Sequence, residues 1–320
     1  MTQSKLKHLR IGTRESKLAL LQTDIVIGVL SRHYPDIRFE VQHITTGGDK
    51  IQDRPIAAIG GRGVFVKELE DALLHDRVDL VVHSLKDLPT DLPEGLTLAC
   101  VLDRSDPRDV LVSEKYGGLA ELPPGATVAT SSRRRTAQLL ALRPDLSFID
   151  MRGNIPTRLR KLAEGQCDAM VLAAAGLIRL GLTENIKEYL SLRISTPAVG
   201  QGALAVECRL ADHDLRGILR EIEDADLALA IQAERAFLDV LGGGCSVPAG
   251  ALAQVEAAEI ILDGCVAALD GSEVFRDQIK GPKQKASTLG KTLAERMQNA
   301  GAEKILVALR GSSPNVVSPP

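Results

Sequence analysis

The segment HSLKDLPT, residues 83–90, sets Lys86 and Asp87 side by side at the end of an apolar run. Adjacent opposite charges usually do no more than solvate one another. At a strand terminus over a cleft, a carboxylate can instead hold a developing cation or shuttle protons. Asp87 is the acid whose context points to that chemistry. The arginines add a second signal. Arg14 sits in a turn before a helix, Arg133, Arg134 and Arg135 open another, and Arg152 follows a strand. Arg158 falls in the next helix's first turn, and Arg179 follows AAAGL. A helix N-terminus carries free N–H groups and the positive end of the dipole, so cations are disfavoured there unless an anion compensates. A single arginine is ordinarily a solvated surface residue. Recurrent placement at helix starts points to anion binding by guanidinium forks. No Walker loop is present, and GGRG at 60–63 has no strand leading into it, so a nucleotide is not indicated. Arg, Ser and Thr spread over two units fit a ligand with several carboxylates.

LGGGCSVPAG, residues 241–250, puts Cys245 behind three glycines. Glycine permits unusual backbone angles and close approach of a bulky group. Two readings stay open on these residues: a turn holding a buried, inert thiol, or an exposed thiol with a large group beside it or attached to it. The five cysteines are widely spaced, with no C-x-x-C pair, so neither a zinc site nor a disulfide framework is suggested.

These residues need elements to position them. HLRIGT reads as a strand, and ESKLALLQTDIVIGVLSRHYP as a helix with Leu18, Leu21, Ile25 and Val29 at helical spacing. RFEVQHITT alternates as a strand. Residues 47–63, rich in Gly and charge, read as a mobile loop. VFVKELEDALLHDRV is a helix and DLVVHSLKDLPT a strand running into a loop. A second unit starts near residue 105: strand ATVATSS, helix RRRTAQLLALRP, strand LSFIDMRG, a helix over IPTRLRKLAEGQ with Pro156 in its first turn, and a strand opening CDAMVLAAAGLIRLG. The units echo each other, each with a Thr/Ser/Arg turn after its first strand and an Asp (Asp79, Asp168) before a later apolar strand. Strand–helix alternation predicts parallel α/β sheets, with a cleft between the two lobes. From about residue 222 the helix DADLALAIQAERAFLDVL, hairpins with Asp-Gly turns at 263–264 and 270–271, and the helix ASTLGKTLAERMQNAG indicate a small α+β domain. The tail GSSPNVVSPP is expected to fray.

The totals bound the class. A chain of 320 residues, 44% hydrophobic and 25% charged, allows two or three globular domains. No apolar run is long enough to span a bilayer, and the N-terminus lacks a secretory signal's apolar stretch, so no membrane role and a cytoplasmic location are expected. A net charge of −3 argues against nucleic acid as a partner.

Seven blocks in order and spacing (IGTRESKLALLQ, GGRGVFVKELE, HSLKDLPT, TSSRRRTAQL, RGNIPTRL, AAAGLIRLG and GGGCSVPAGA) make the chain resemble the porphobilinogen deaminase (hydroxymethylbilane synthase) family from about residue 9 to 310. The resemblance implies two periplasmic-binding-protein-like α/β lobes with a cleft between them, residues 1–102 with 203–220 and residues 105–198, plus a C-terminal α+β domain over 222–316. It implies stepwise head-to-tail condensation of four porphobilinogen molecules, with release of ammonia and finally hydroxymethylbilane, in tetrapyrrole biosynthesis. It implies a dipyrromethane cofactor in thioether linkage to Cys245, and Asp87 as the catalytic acid. Lys86, Thr130, Ser132, Arg134, Arg135 and Gly244 are then expected to bind the cofactor, and Arg14, Ser16, Gln22, Arg152, Arg158 and Arg179 the substrate acids. The 47–63 loop becomes a lid with Phe65 near its edge. A monomer with a small-molecule substrate and no metal is expected. Three positions depart from the family's usual residues: Arg133, Gly242 and Met151. The rival reading is a two-lobed binding protein for a polycarboxylate; a paralogue with the fold but no activity is a third.

Overall fold

The computed structural model describes residues 6–50, 63–242 and 247–311. Its first sheet starts with β1 (His8–Thr13) and the helix α1 (Lys17–His33), whose N-cap Ser16 accepts the Ala19 N–H through its hydroxyl. β2 (Arg38–His43), the short α2 (Gly47–Lys50), α3 (Lys67–Leu74), β3 (Leu80–Ser84) and β4 (Leu96–Leu102) follow. The second sheet contains β5 (Asp109–Val112), β6 (Thr127–Ala129), α4 (Arg133–Leu140), β7 (Ser147–Ile149), α5 (Ile155–Ala163), β8 (Ala169–Ala173), α6 (Ala174–Leu180) and β9 (Ile186–Tyr189). The chain then returns to the first sheet through β10 (Leu204–Arg209) and α7 (His213–Glu221). The final unit is α8 (Ala225–Val240), β11 (Ala249–Glu256), β12 (Glu259–Ala267), β13 (Val274–Pro282), α9 (Ala286–Met297) and α10 (Glu303–Gly311). None of the described helices is long and apolar enough to cross a membrane.

The two large sheets share one plan. Their orders are β2-β1-β3-β10-β4 and β7-β6-β8-β5-β9. In each, the first three strands are parallel and the fourth is antiparallel to the third. The sheets are therefore mixed, not parallel as the strand–helix alternation predicts. The cause is the hinge: β10 comes back from the second lobe and enters between β3 and β4, antiparallel to both. The repeated aspartates close the same joint in each sheet. Asp79 Oδ2 accepts the Arg10 N–H at 2.7 Å, and Asp168 Oδ2 accepts the Thr127 N–H at 2.8 Å.

Two further sequence expectations change. The Leu18–Leu21–Ile25–Val29 stripe of α1 is only half-buried, while Ala19, Gln22, Thr23, Val26 and Leu30 are the buried positions. Helix α1 carries two apolar stripes. One packs on its own sheet; of the other, Leu18 lies close to Gly176 of α6 in the second lobe, while Ile25 and Val29 pack at the margin of the first lobe's own core. The Asp263–Gly264 pair is no turn; it lies inside β12, with Gly264 opposite Ala251 and Asp277. A side chain at Gly264 would press on Phe237, Leu293 and Met297 at 3.0–3.1 Å, so this glycine lets α8 and α9 close on the sheet. The β11–β12 connection is instead at Ala257–Ala258, with Ala257 at φ 56°. Asp270–Gly271 does lie between β12 and β13, and Asp270 Oδ1 accepts the Ser272 N–H.

Candidate active site

Lys86 and Asp87 occupy a single 3-10 turn, Leu85–Asp87, directly after β3. The turn is pinned from below. The Leu85 N–H donates to the Ala203 carbonyl at 3.0 Å, and the Leu85 side chain is buried. Lys86 Nζ lies 3.5 Å from Gln201 Oε1, in the turn that precedes β10 as the chain returns from the second lobe. Burial first, then repulsion from Arg135, pulls the Lys86 ammonium down to about 8, against the pull of Asp87 and Asp109.

Across from this turn, Ser132 caps α4 by accepting the Arg135 N–H. Capping at that point turns Arg134 and Arg135 inward, and both are buried. Their partner is Asp109, fully buried at the start of β5. Arg134 Nη1 reaches Asp109 Oδ2 at 2.7 Å, and Arg135 reaches Oδ1 through Nε at 2.9 Å and Nη2 at 2.7 Å. Ser195 Oγ and Gln201 Nε2 also donate to this carboxylate. Burial alone would raise the Asp109 carboxyl, but the two guanidiniums outweigh it and hold it far below the usual range. Sequence reasoning missed Asp109 and Gln201. The signal for Asp109 was a charge opening the apolar run DVLV; Gln201 offered none.

Arg158 joins this set electrostatically. Burial, then repulsion from Arg135 and Arg152, lowers it to about 10, while Asp87 acts the other way. Its Nε donates to the Gly153 carbonyl at 2.8 Å, and Arg152 Nη2 reaches the Gly48 carbonyl at 3.5 Å. Thr130 is buried, and its Oγ1 accepts the Ser132 N–H. The structure thus gathers Lys86, Asp87, Arg135, Arg152 and Arg158 into one electrostatic neighbourhood, with Asp109 and Arg134 beneath it.

The remaining expected residues fall elsewhere or serve structure as well. Arg14 is held by Asp49 and stacked on Phe65. Ser16 is the α1 cap. Gln22 is buried and donates to Ser84 Oγ at 2.7 Å, tying α1 to the end of β3. Arg179 stands apart: its Nη2 donates to the Asp103 and Gly202 carbonyls and to Asp103 Oδ2, all on the two chain crossings between lobes. A groove of about 750 Å³ between α1 and the Leu102–Asp103 crossing is lined by Arg179 but by none of Lys86, Asp87, Arg135 or Arg158. Cys245, Gly244 and most of the 47–63 segment lie outside the described residues, as does the tail beyond residue 311. The other four cysteines are buried, and burial pushes each thiol up: Cys167 to about 11, Cys100 and Cys208 to about 12. That makes them poor nucleophiles. Of the three departures, Arg133 is exposed, Met151 is buried in the second lobe's core, and Gly242 has φ 93°, a conformation an acidic side chain would strain. Among the described residues, no group of three or more His, Cys, Asp or Glu could hold a metal ion.

Lys86 and Asp87 after β3, Arg135 after β6, and Arg152 and Arg158 after β7 form a predominantly cationic cluster of a kind that can take a ligand with several carboxylates. Comparison with known proteins gives this geometry a context. Residues 9–217 match the family model described as porphobilinogen deaminase, dipyromethane cofactor binding domain, and residues 228–299 match porphobilinogen deaminase, C-terminal domain. The porphobilinogen deaminase of Pelobacter propionicus is 48% identical over 300 residues, spanning 94% of this chain and 96% of that one. That of Desulforudis audaxviator is 50% identical over 303 residues, spanning 95% and 98%. Among solved structures, a periplasmic domain of the BvgS protein of Bordetella pertussis aligns at a TM-score of 0.42 and 15% identity, over 68% of this chain and 86% of that one. An ABC-transporter substrate-binding protein from Coxiella burnetii aligns at 0.42 and 14%, over 71% and 96%.

Proposed function

The chain belongs to the porphobilinogen deaminase family, and from that premise we propose how its residues divide the work of joining four porphobilinogen molecules head to tail. Each condensation breaks the substrate's aminomethyl C–N bond and forms a C–C bond; ammonia leaves, and the attacked pyrrole carbon gives up its proton. Cys245 would hold the dipyrromethane as a thioether, and that group would supply the nucleophilic pyrrole carbon for the first condensation. The described residues fit such a group. Lys86, Arg135 and Arg158 are lowered first by burial and then by a neighbouring cation (Arg135 acts on Lys86 and Arg158, and Arg134 on Arg135), and acetate and propionate groups relieve that repulsion.

Asp87 is the catalytic carboxylate. It accepts hydrogen bonds from pyrrole N–H groups, stabilises the cation that develops as ammonia departs, and takes up the proton released on C–C bond formation. Lys86, Thr130, Ser132, Arg134, Arg135 and Gly244 hold the cofactor's acids. Arg14, Ser16, Arg152 and Arg158 receive the acids of incoming substrate. Gln22 acts from behind, through Ser84 at the foot of the Lys86–Asp87 turn. Arg179 acts through the crossings it binds, setting the angle of the lobes. The enzyme works as a cytoplasmic monomer. The observation that carries this assignment of roles is the Lys86–Asp87 turn facing the arginines that Asp109 aligns.

Intact-protein mass spectrometry on wild type and Cys245→Ala tests the anchor. Wild type is expected to be heavier than its sequence by one linked dipyrromethane, with the variant at sequence mass. If neither carries added mass and porphobilinogen adds none to wild type, the reading fails.

A further inference from the structure

Arg14 does not wait with an open fork. Its Nε donates to Asp49 Oδ2 at 3.1 Å, and its Nη2 pairs with Asp49 Oδ1. This is the side-on, two-bond geometry by which a guanidinium grips any carboxylate. The guanidinium is also stacked: its carbon lies over the Phe65 ring, 4.3 Å from the centre. Asp49 is in turn held in position. Buried Thr46 donates to Asp49 Oδ2 through its hydroxyl at 2.8 Å and its N–H at 3.3 Å. The next turn is tied as well, with the Gly47 N–H on Glu68 Oε1 at 2.8 Å and the Gly48 carbonyl receiving Arg152 at 3.5 Å. Residues 46–49 therefore touch two of the arginines assigned to substrate acids, one by side chain and one by backbone. Burial would raise the Asp49 carboxyl, but Arg14 and Thr46 outweigh it, so the group is a carboxylate at neutral pH.

We propose that Asp49 is a specificity-determining residue, a built-in carboxylate that fills the ligand-acid position on Arg14 and must be displaced by an acid group of the substrate. This rests on the assignment of Arg14 to substrate acids. Two carboxylates cannot share the Nε–Nη2 edge of one guanidinium. Docking of residues 46–49 and binding of a substrate acid there exclude one another. The consequence is selectivity: a ligand with a weakly placed acid, or none, does not repay the lost Asp49 pair, whereas a well-oriented carboxylate does.

The test is a two-by-two set of holoenzymes: wild type, Arg14→Ala, Asp49→Asn and the double variant, assayed with porphobilinogen. Asparagine keeps a hydrogen-bonding partner for Thr46 but removes the charge. Arg14→Ala is expected to raise KM. Asp49→Asn is expected to lower KM about 3- to 10-fold in the wild-type background, the loss of one competing ion pair, and to leave KM unmoved where Arg14 is absent. Hydrogen exchange gives a readout independent of turnover: amides of residues 46–49 should lose protection when wild type is saturated with porphobilinogen. If Arg14→Ala leaves KM unchanged, the assignment of Arg14 fails. If Arg14→Ala raises KM but Asp49→Asn raises it too or leaves it alone, Asp49 merely orients Arg14, and the displacement is overturned. Protection retained at saturation overturns it as well. Should Asp49→Asn fold poorly, Thr46→Val, which loosens Asp49 without altering its charge, must still lower KM.

Discussion

The two α/β lobes use the same strand order, the same capped helix after the first strand and the same aspartate before the third, yet they do different work. After β8 the second lobe runs straight into α6, whose first residues are buried alanines. After β3 the first lobe makes a short 3-10 turn instead and puts Lys86 and Asp87 at that place. The arginines differ as well. Arg134 and Arg135 of the second lobe are locked onto one buried carboxylate, while Arg14 of the first is held by an acid from a short helix beside it. A repeated scaffold thus supplies capped, arginine-bearing helix starts on both sides, and the proposed chemistry sits where the repeat is broken.

The comparison can be broken at its most asymmetric point. Asp87→Asn keeps shape and polarity but removes the charge and the proton acceptor. Turnover should fall by about 10²–10⁴-fold, the usual worth of a positioned acid–base group, with the cofactor mass retained. A fall of less than tenfold would place the chemistry elsewhere. The symmetric part makes the opposite prediction. Asp79→Ala and Asp168→Ala should each destabilise their own lobe by about 1–3 kcal/mol, the cost of leaving a backbone donor without its acceptor. Asp79 should cost more, because it also binds Arg10 and Arg209 side chains. Denaturant unfolding of both variants would show whether the lobes are equivalent supports. A finer test uses Lys86. Its ammonium is lowered to about 8, so it is charged below that pH and neutral above it. Its hold on the cofactor's acids, and turnover with it, should therefore decline as pH rises through about 8, which a pH–rate profile would show. Lys86→Arg stays charged and should abolish that alkaline limb while costing some geometry.

Much of this was legible in the residues. Order and spacing of the seven blocks carried the family, and the Asp before each apolar strand marked the repeat that Asp79 and Asp168 build. Strand and helix positions followed from periodicity because each segment has one dominant face. Where a segment has two faces, periodicity misleads: α1 shows a clear stripe at Leu18, Leu21, Ile25 and Val29, but the sheet takes the neighbouring one. Local turn chemistry misleads where packing overrides it, as at Gly264, whose missing side chain serves α8 and α9. Strand direction in β10 depends on where the chain has been, which no window of residues records. Asp109 escaped for a related reason. Its role is set by Arg134, Arg135, Ser195 and Gln201, and three of those four are more than 25 positions away.

The position of β10 also bears on how the chain is made. The first sheet cannot be completed when its own first hundred residues have left the ribosome, because the strand between β3 and β4 comes after the whole second lobe. Val206 must find Val82 across more than a hundred intervening residues. Closing so long a loop is slow relative to the local pairings within the second lobe. The inserted lobe is therefore the natural first unit to fold during synthesis, and the lobe bearing Asp87 the one that waits. Until residue 209 has emerged, the inner edges of β3 and β4 are unpaired, and the nascent chain is most exposed to misassembly in that interval.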